Sequence, residues 1–172
     1  MKIVIVGDSY STQRTIINGV PTHFTWIHCL EKDYKVECLA VPGASNVETL
    51  NQVPDSDWDC IIASLSPLDR PGGKLFDRDQ TEYHRQQEDG RHVKENISAA
   101  YKLTKLDRSI VWSSFPQYEG ISDKIHYIPL ADENEYYRIR YSLSVRNYTG
   151  CHLTKKGNQR LAEIMKRLIA KL

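Results

Sequence analysis

No apolar run in this chain approaches the roughly 20 residues that a membrane-crossing helix needs. The N-terminal run, Ile3-Val4-Ile5-Val6, is broken at once by Gly7-Asp8. It is too short for the central region of a signal peptide. A cytoplasmic protein with no membrane partner is the expectation. An excess of one charge is missing too. Lys and Arg number 23 against 22 Asp and Glu, a formal net charge of +1, so nothing global favours nucleic acid. Cysteine is sparse: Cys29, Cys38, Cys60 and Cys151 are scattered without a C-x-x-C pair. That argues against a disulfide framework or a zinc site. His84, His92 and His126 lack ligand spacing and read as surface residues, so no metal and no other cofactor is expected. Internal repeats, low-complexity stretches and an interior linker are absent as well. What remains, 172 residues with 40% hydrophobic and 26% charged, suits one domain over residues 1–172 with one continuous core. Its oligomeric state is open.

Short apolar strands alternate with helical segments. Ile3–Val6, Lys35–Val41, Asp59–Leu65 and Ser109–Phe115 read as strands, and Ile125–Leu130 as a short fifth. Thr22–Lys32, Asn46–Gln52 and Val93–Leu106 read as helices. In the last segment Leu161, Ile164, Met165, Leu168, Ile169 and Leu172 fall on one helical face, with Thr154 as N-cap. This alternation predicts a three-layer α/β/α fold with a mainly parallel sheet of about five strands. Residues 66–90 depart from it. Pro67, Pro71, Gly72 and Gly73 lead into a highly polar stretch, read either as a loop or lid over a site or as a solvated insert.

In such folds ligands sit beyond the carboxyl ends of the strands. Gly7-Asp8-Ser9, Pro42-Gly43-Ala44-Ser45-Asn46 and Ser66-Pro67-Leu68-Asp69 follow three of the strands, and Gly150-Cys151-His152-Leu153-Thr154 precedes the last helix. Ser9 is read as a nucleophile or as a helix cap, with Asp8 bracing the turn. His152 is read as its base or as a surface residue. Gly43 is an oxyanion-loop glycine or a turn glycine. Cys151, beside His152 on extended backbone, is read as a buried structural residue rather than a reactive thiol. Tyr136-Tyr137-Arg138-Ile139-Arg140-Tyr141 interleaves aromatic and basic groups. Tyr137, Arg138 and Arg140 form either a substrate wall or part of a helix with Tyr inward and Arg outward. Lys155 and Lys156 open the last helix, where they attract an anionic substrate or simply oppose the macrodipole.

Taken in order, these blocks resemble the SGNH (GDSL-like) hydrolases, serine esterases, thioesterases and carbohydrate deacetylases. The matching residues are Val4-Ile5-Val6-Gly7-Asp8-Ser9, the Pro42-Gly43-Ala44-Ser45 turn, and His152-Leu153-Thr154 opening the final helix. The resemblance implies hydrolysis of an ester, thioester or O-acetyl group on a small-molecule or carbohydrate substrate. It implies an acyl-Ser9 intermediate, His152 as base, and an oxyanion held by the N–H groups of Ser9 and Gly43. Two blocks depart from the family pattern. Where the family has Gly-x-Asn-Asp, this chain has Ser66-Pro67-Leu68-Asp69, so Leu68 stands in for the Asn donor and Ser66 is its possible substitute. Where the family has Asp three residues before His, this chain has Thr149; Thr149 or Asp69 is then the candidate to orient the imidazole. These departures also fit a second reading, a catalytically degenerate binding protein for a sugar, nucleotide or phosphorylated metabolite. A third, a flavodoxin-like phosphate site at Gly7-Asp8-Ser9, suffers because Asp8 repels phosphate.

Overall fold

The computed structural model describes residues 1–11, 15–17, 20–22, 25–55, 57–71, 90, 92–130, 136–140 and 149–172. For 15–17, 20–22, 136–140 and 149–152 the backbone alone is described. Strand β1 (Lys2–Val6) is followed by a 3-10 turn (Ser9–Ser11), then β2 (Thr15–Ile17), β3 (Val20–Thr22) and α1 (Trp26–Leu30). Next come β4 (Lys35–Cys38), α2 (Asn46–Asn51), β5 (Cys60–Ser64) and α3 (Val93–Leu103). The chain continues through β6 (Ser109–Ser113), a 3-10 turn (Pro116–Tyr118), β7 (Ile125–Tyr127), β8 (Tyr136–Arg140), β9 (Thr149–Leu153) and α4 (Lys155–Ile169).

Five of these strands form one all-parallel sheet in the order β4-β1-β5-β6-β7. The three-layer α/β/α architecture is therefore present. Alternation along β1 divides its core in two. Ile3 and Ile5 pack with Trp26, Ile27, Leu161 and Met165, under α1 and α4. Val4 and Val6 pack with Ala100, Leu103 and Tyr118, on the α3 side. Val4, Ile5, Ile61 and Ile62 are fully buried, as central parallel strands covered on both faces must be. Trp26 meets Trp112 edge-on, with ring centroids 6.1 Å apart.

The order of the strands fixes where a site belongs. From β1 the chain first moves outward to β4, then returns past β1 to β5. Consecutive connections thus leave β1 and β5 toward opposite faces, and a crevice opens at their carboxyl ends. Ser9 follows β1, and Ser66 to Arg70 follow β5.

Several expectations need correction. The helix expected over Thr22–Lys32 is confined to Trp26–Leu30, because Val20–Thr22 pairs antiparallel with Thr15–Ile17. The helix alternative for Tyr136–Tyr141 fails for residues 136–140, which form a strand paired with β9. The Thr154 cap is present: its hydroxyl accepts the Gly157 N–H at 3.2 Å. Residues 72–89 of the polar insert lie outside the described residues. His92 and His126 are half-buried rather than surface residues. Burial, with Lys171 nearby, holds the His126 imidazole below its usual range. Burial pushes the Cys60 thiol up to about 11, as suits a small hydrophobe rather than a nucleophile. No helix among the described residues is long and apolar enough to cross a membrane.

Candidate active site

The Gly7-Asp8-Ser9 turn is held from three directions. Gln52, at the end of α2, clamps Gly7 twice. Its Oε1 accepts the Gly7 N–H at 2.7 Å, and its Nε2 donates to the Gly7 carbonyl at 3.1 Å. The Val41 N–H reaches the same carbonyl at 3.0 Å. The Asp8 carboxylate, with no exposed surface, accepts from the Tyr10 N–H at 3.1 Å and from Ser64 Oγ at 3.4 Å. Arg70 Nη1 lies 3.1 Å from its other oxygen. The turn closes on itself through the Ser11 N–H and the Asp8 carbonyl, 3.0 Å apart. Ser9 is left half-buried at the crevice.

Removing the Gln52 side chain strands the Gly7 N–H, while Val41 still satisfies the carbonyl. A Gln52→Ala variant is expected to lose about 1–3 kcal/mol of stability, the usual cost of an unsatisfied buried group. Urea denaturation measures it.

The second loop carries Gly43, with φ +80°, a conformation that suits glycine. Gly43 and Ala44 are buried, and Ser45 caps α2 with a reciprocal bond to Glu48. Asn46 then anchors a buried network. Its Oδ1 accepts from Ser66 N–H at 2.9 Å and from Ser66 Oγ at 3.2 Å. Its Nδ2 donates to the Asn96 carbonyl and to the Tyr118 hydroxyl. Tyr118 in turn donates to the Ser66 carbonyl at 2.7 Å, and Asn96 Nδ2 donates to the Leu68 and Arg70 carbonyls, each at 2.8 Å. Burial pushes the Tyr118 phenol well above its usual range, so it stays a neutral donor.

This network decides the shape of the loop after β5. Ser66 is fully buried and bonded to Asn46. Leu68, where the resembled family has its Asn donor, is buried in the apolar cluster under α3. Asp69 is half-buried.

At the far end of the chain, β9 places His152 opposite Tyr137, Cys151 opposite Arg138 and Thr149 opposite Arg140. Their side chains lie outside the described residues. The junction beside His152 is firmly held. Leu153 is buried, and Asn158 Nδ2 donates to its carbonyl at 3.1 Å. Asn158 Oδ1 accepts the Trp26 N–H at 2.9 Å. The Trp26 indole N–H donates to the Tyr10 carbonyl at 2.8 Å. Three hydrogen bonds therefore connect the neighbour of His152 to the neighbour of Ser9, across 143 positions of sequence (Tyr10 to Leu153).

Asp8, Ser9, Gly43, Ser66 and Arg70 thus gather on neighbouring loops at the carboxyl end of the sheet. Gln52, Ser64, Asn46, Asn96, Arg70, Trp26 and Asn158 are the supporting residues that sequence reasoning missed. The capping pattern Ser45-x-x-Glu48 was the one local signal pointing to the Asn46 helix start.

The chain matches no protein-family model and no curated protein. One solved structure that matches is a carbohydrate esterase whose active site is described as displaying divergent catalytic and non-catalytic binding functions. The match covers 99% of this chain and 67% of that one, at 13% identity and a TM-score of 0.47.

Proposed function

We propose that this chain is a serine hydrolase of the SGNH type, acting on an ester, thioester or O-acetyl group of a small-molecule or carbohydrate substrate. The observation that carries the reading is the hydrogen-bonded path from Leu153 through Asn158 and Trp26 to Tyr10. It supports a functional pairing of the two residues next to its ends, His152 and Ser9. Ser9 Oγ attacks the acyl carbon, and His152 takes the hydroxyl proton. The carbonyl π electrons move onto oxygen, where the N–H groups of Ser9 and Gly43 receive the charge. Collapse of that intermediate expels the alcohol or thiol, which leaves with the proton from His152. Water, deprotonated by His152, then releases the acid and restores Ser9. Thr149 or Asp69 orients the imidazole, and Tyr137, Arg138 and Arg140 wall the substrate. Ser66, bonded to Asn46, serves by fixing the loop after β5. A cytoplasmic location suits Cys29 and Cys60, which form no disulfide among the described residues.

One observation favours a second reading, a binding protein that has lost hydrolysis. Leu68 takes the position of the family's Asn donor and faces the core. A fluorophosphonate probe separates the two. The expected result is covalent labelling of the wild-type protein that disappears in Ser9→Ala. Absence of labelling, together with no turnover of short acyl esters, selects the binding protein.

A further inference from the structure

The buried carboxylate next to Ser9 presents an electrostatic problem. Asp8 has no exposed surface, and Arg70 keeps 14% of its side chain exposed. The Tyr10 N–H and Ser64 hydroxyl already satisfy one carboxylate oxygen. A turn brace asks for nothing more, and a neutral Asn or Ser could supply it. Instead the structure spends an ion pair here, with Arg70 Nη1 3.1 Å from the second oxygen. A buried charge without a counter-charge is strongly unfavourable, but a neutral side chain at position 8 avoids that cost altogether. The pair is placed where charge matters most to the reaction, because the N–H of the very next residue, Ser9, is an oxyanion donor in the hydrolase reading.

We propose that Arg70 is the positioning residue of the Ser9 turn, cancelling the charge of Asp8 so that the Ser9 N–H meets the forming oxyanion unopposed. The proposal rests on the hydrolase reading above. Asp8 holds the turn, and Arg70 makes that carboxylate tolerable beside a site that must accumulate negative charge. Arg70 does this from the loop after β5, whose backbone at Leu68 and Arg70 is fixed by Asn96. The guanidinium is therefore delivered to Asp8 from a braced loop, on the far side of the crevice from β4.

The test is a charge-rescue cycle read by the rate of Ser9-dependent fluorophosphonate labelling, with circular dichroism as the check on folding. Arg70→Met leaves Asp8 uncompensated. Labelling is expected to slow on the order of a hundredfold, the factor for a unit charge at about 6 Å and an effective dielectric constant of about 20. Arg70→Lys keeps the charge and is expected to label within about tenfold of wild type. The double variant Asp8→Asn with Arg70→Met removes both charges, and its rate is expected to return to within about tenfold of wild type. A merely structural tie between the loops predicts the opposite, since the double variant lacks the tie as fully as Arg70→Met does. Wild-type labelling in Arg70→Met, or a double variant as slow as Arg70→Met, overturns the proposal while leaving the hydrolase reading intact. Where Arg70→Met fails to fold, the double variant decides alone: a rate more than about tenfold below wild type overturns the proposal. Wild-type protein without Ser9-dependent labelling overturns both readings together.

Discussion

A Gly7→Ala variant is expected to lose about 2–5 kcal/mol of stability, well above the roughly 1 kcal/mol typical of a single substitution. A backbone cost and the cost of relieving one clash add. Gly7 has φ +144°, a backbone conformation that costs an L side chain about 1–2 kcal/mol. An added Cβ would lie 1.9 Å from Ser64 Oγ and 3.1 Å from the Ser64 Cβ and carbonyl oxygen. Ser64 is buried on β5, in the sheet beside β1, so relief means displacing one central strand from the other, at about 1–3 kcal/mol for overpacking. If Ser64 instead rotates away, it gives up its bonds to the Asp8 N–H and carboxylate, about 1 kcal/mol each. At about 2–4 °C per kcal/mol for a chain of this size, the melting temperature should fall by about 4–20 °C. Adding Ser64→Ala removes the closest contact and should recover part of the loss, because the two residues touch and their effects do not add. A Gly7→Ala protein that melts within a few degrees of wild type would mean that β1 and β5 separate easily at this point.

The same glycine shows what the sequence carries and where it stops. A β-branched run ending in Gly-Asp-Ser announces a buried strand and a turn, since each is a local pattern. The faces of α4 were legible for the same reason: Leu161, Met165 and Ile169 recur at helical spacing and are all buried. The partner that makes Gly7 indispensable, Ser64, lies 57 positions away (Gly7 to Ser64). Gln52 is 45 positions from Gly7, Arg70 is 62 from Asp8, and Tyr118 is 72 from Asn46. Such contacts exist only once the strand order is set, and no periodicity encodes them. Two local signals were open to better use. Asn18-Gly19 between Ile16-Ile17 and Val20 is the dipeptide that favours two-residue hairpins, and it outweighs the apolar spacing that suggested a helix from Thr22. Tyr136-Tyr137-Arg138-Ile139-Arg140 is rich in aromatic and β-branched residues that favour strands, in keeping with its pairing to β9.

For His152→Gln, Ser9 labelling by fluorophosphonate is expected to drop by about 10⁶, the scale on which loss of the histidine base impairs a serine nucleophile. Glutamine can still donate and accept hydrogen bonds, but it cannot take up a proton at neutral pH. The fold should hardly notice the change. The anchors on this side lie after residue 152: Leu153 in the core, the Thr154 cap on Gly157, and Asn158 bridging to Trp26. None of them uses the His152 side chain, so the melting temperature should stay within a few degrees of wild type. The pH profile gives the sharper contrast. Protonated imidazole cannot act as a base, so wild-type labelling should fall toward acid pH. The residual labelling of the glutamine variant should lack that limb. Labelling that survives His152→Gln at the wild-type rate would show that another group takes the Ser9 proton. The anchored junction at Leu153 would then mark a structural seam between α1 and α4, and the base would have to be sought among the loops after β4 and β5.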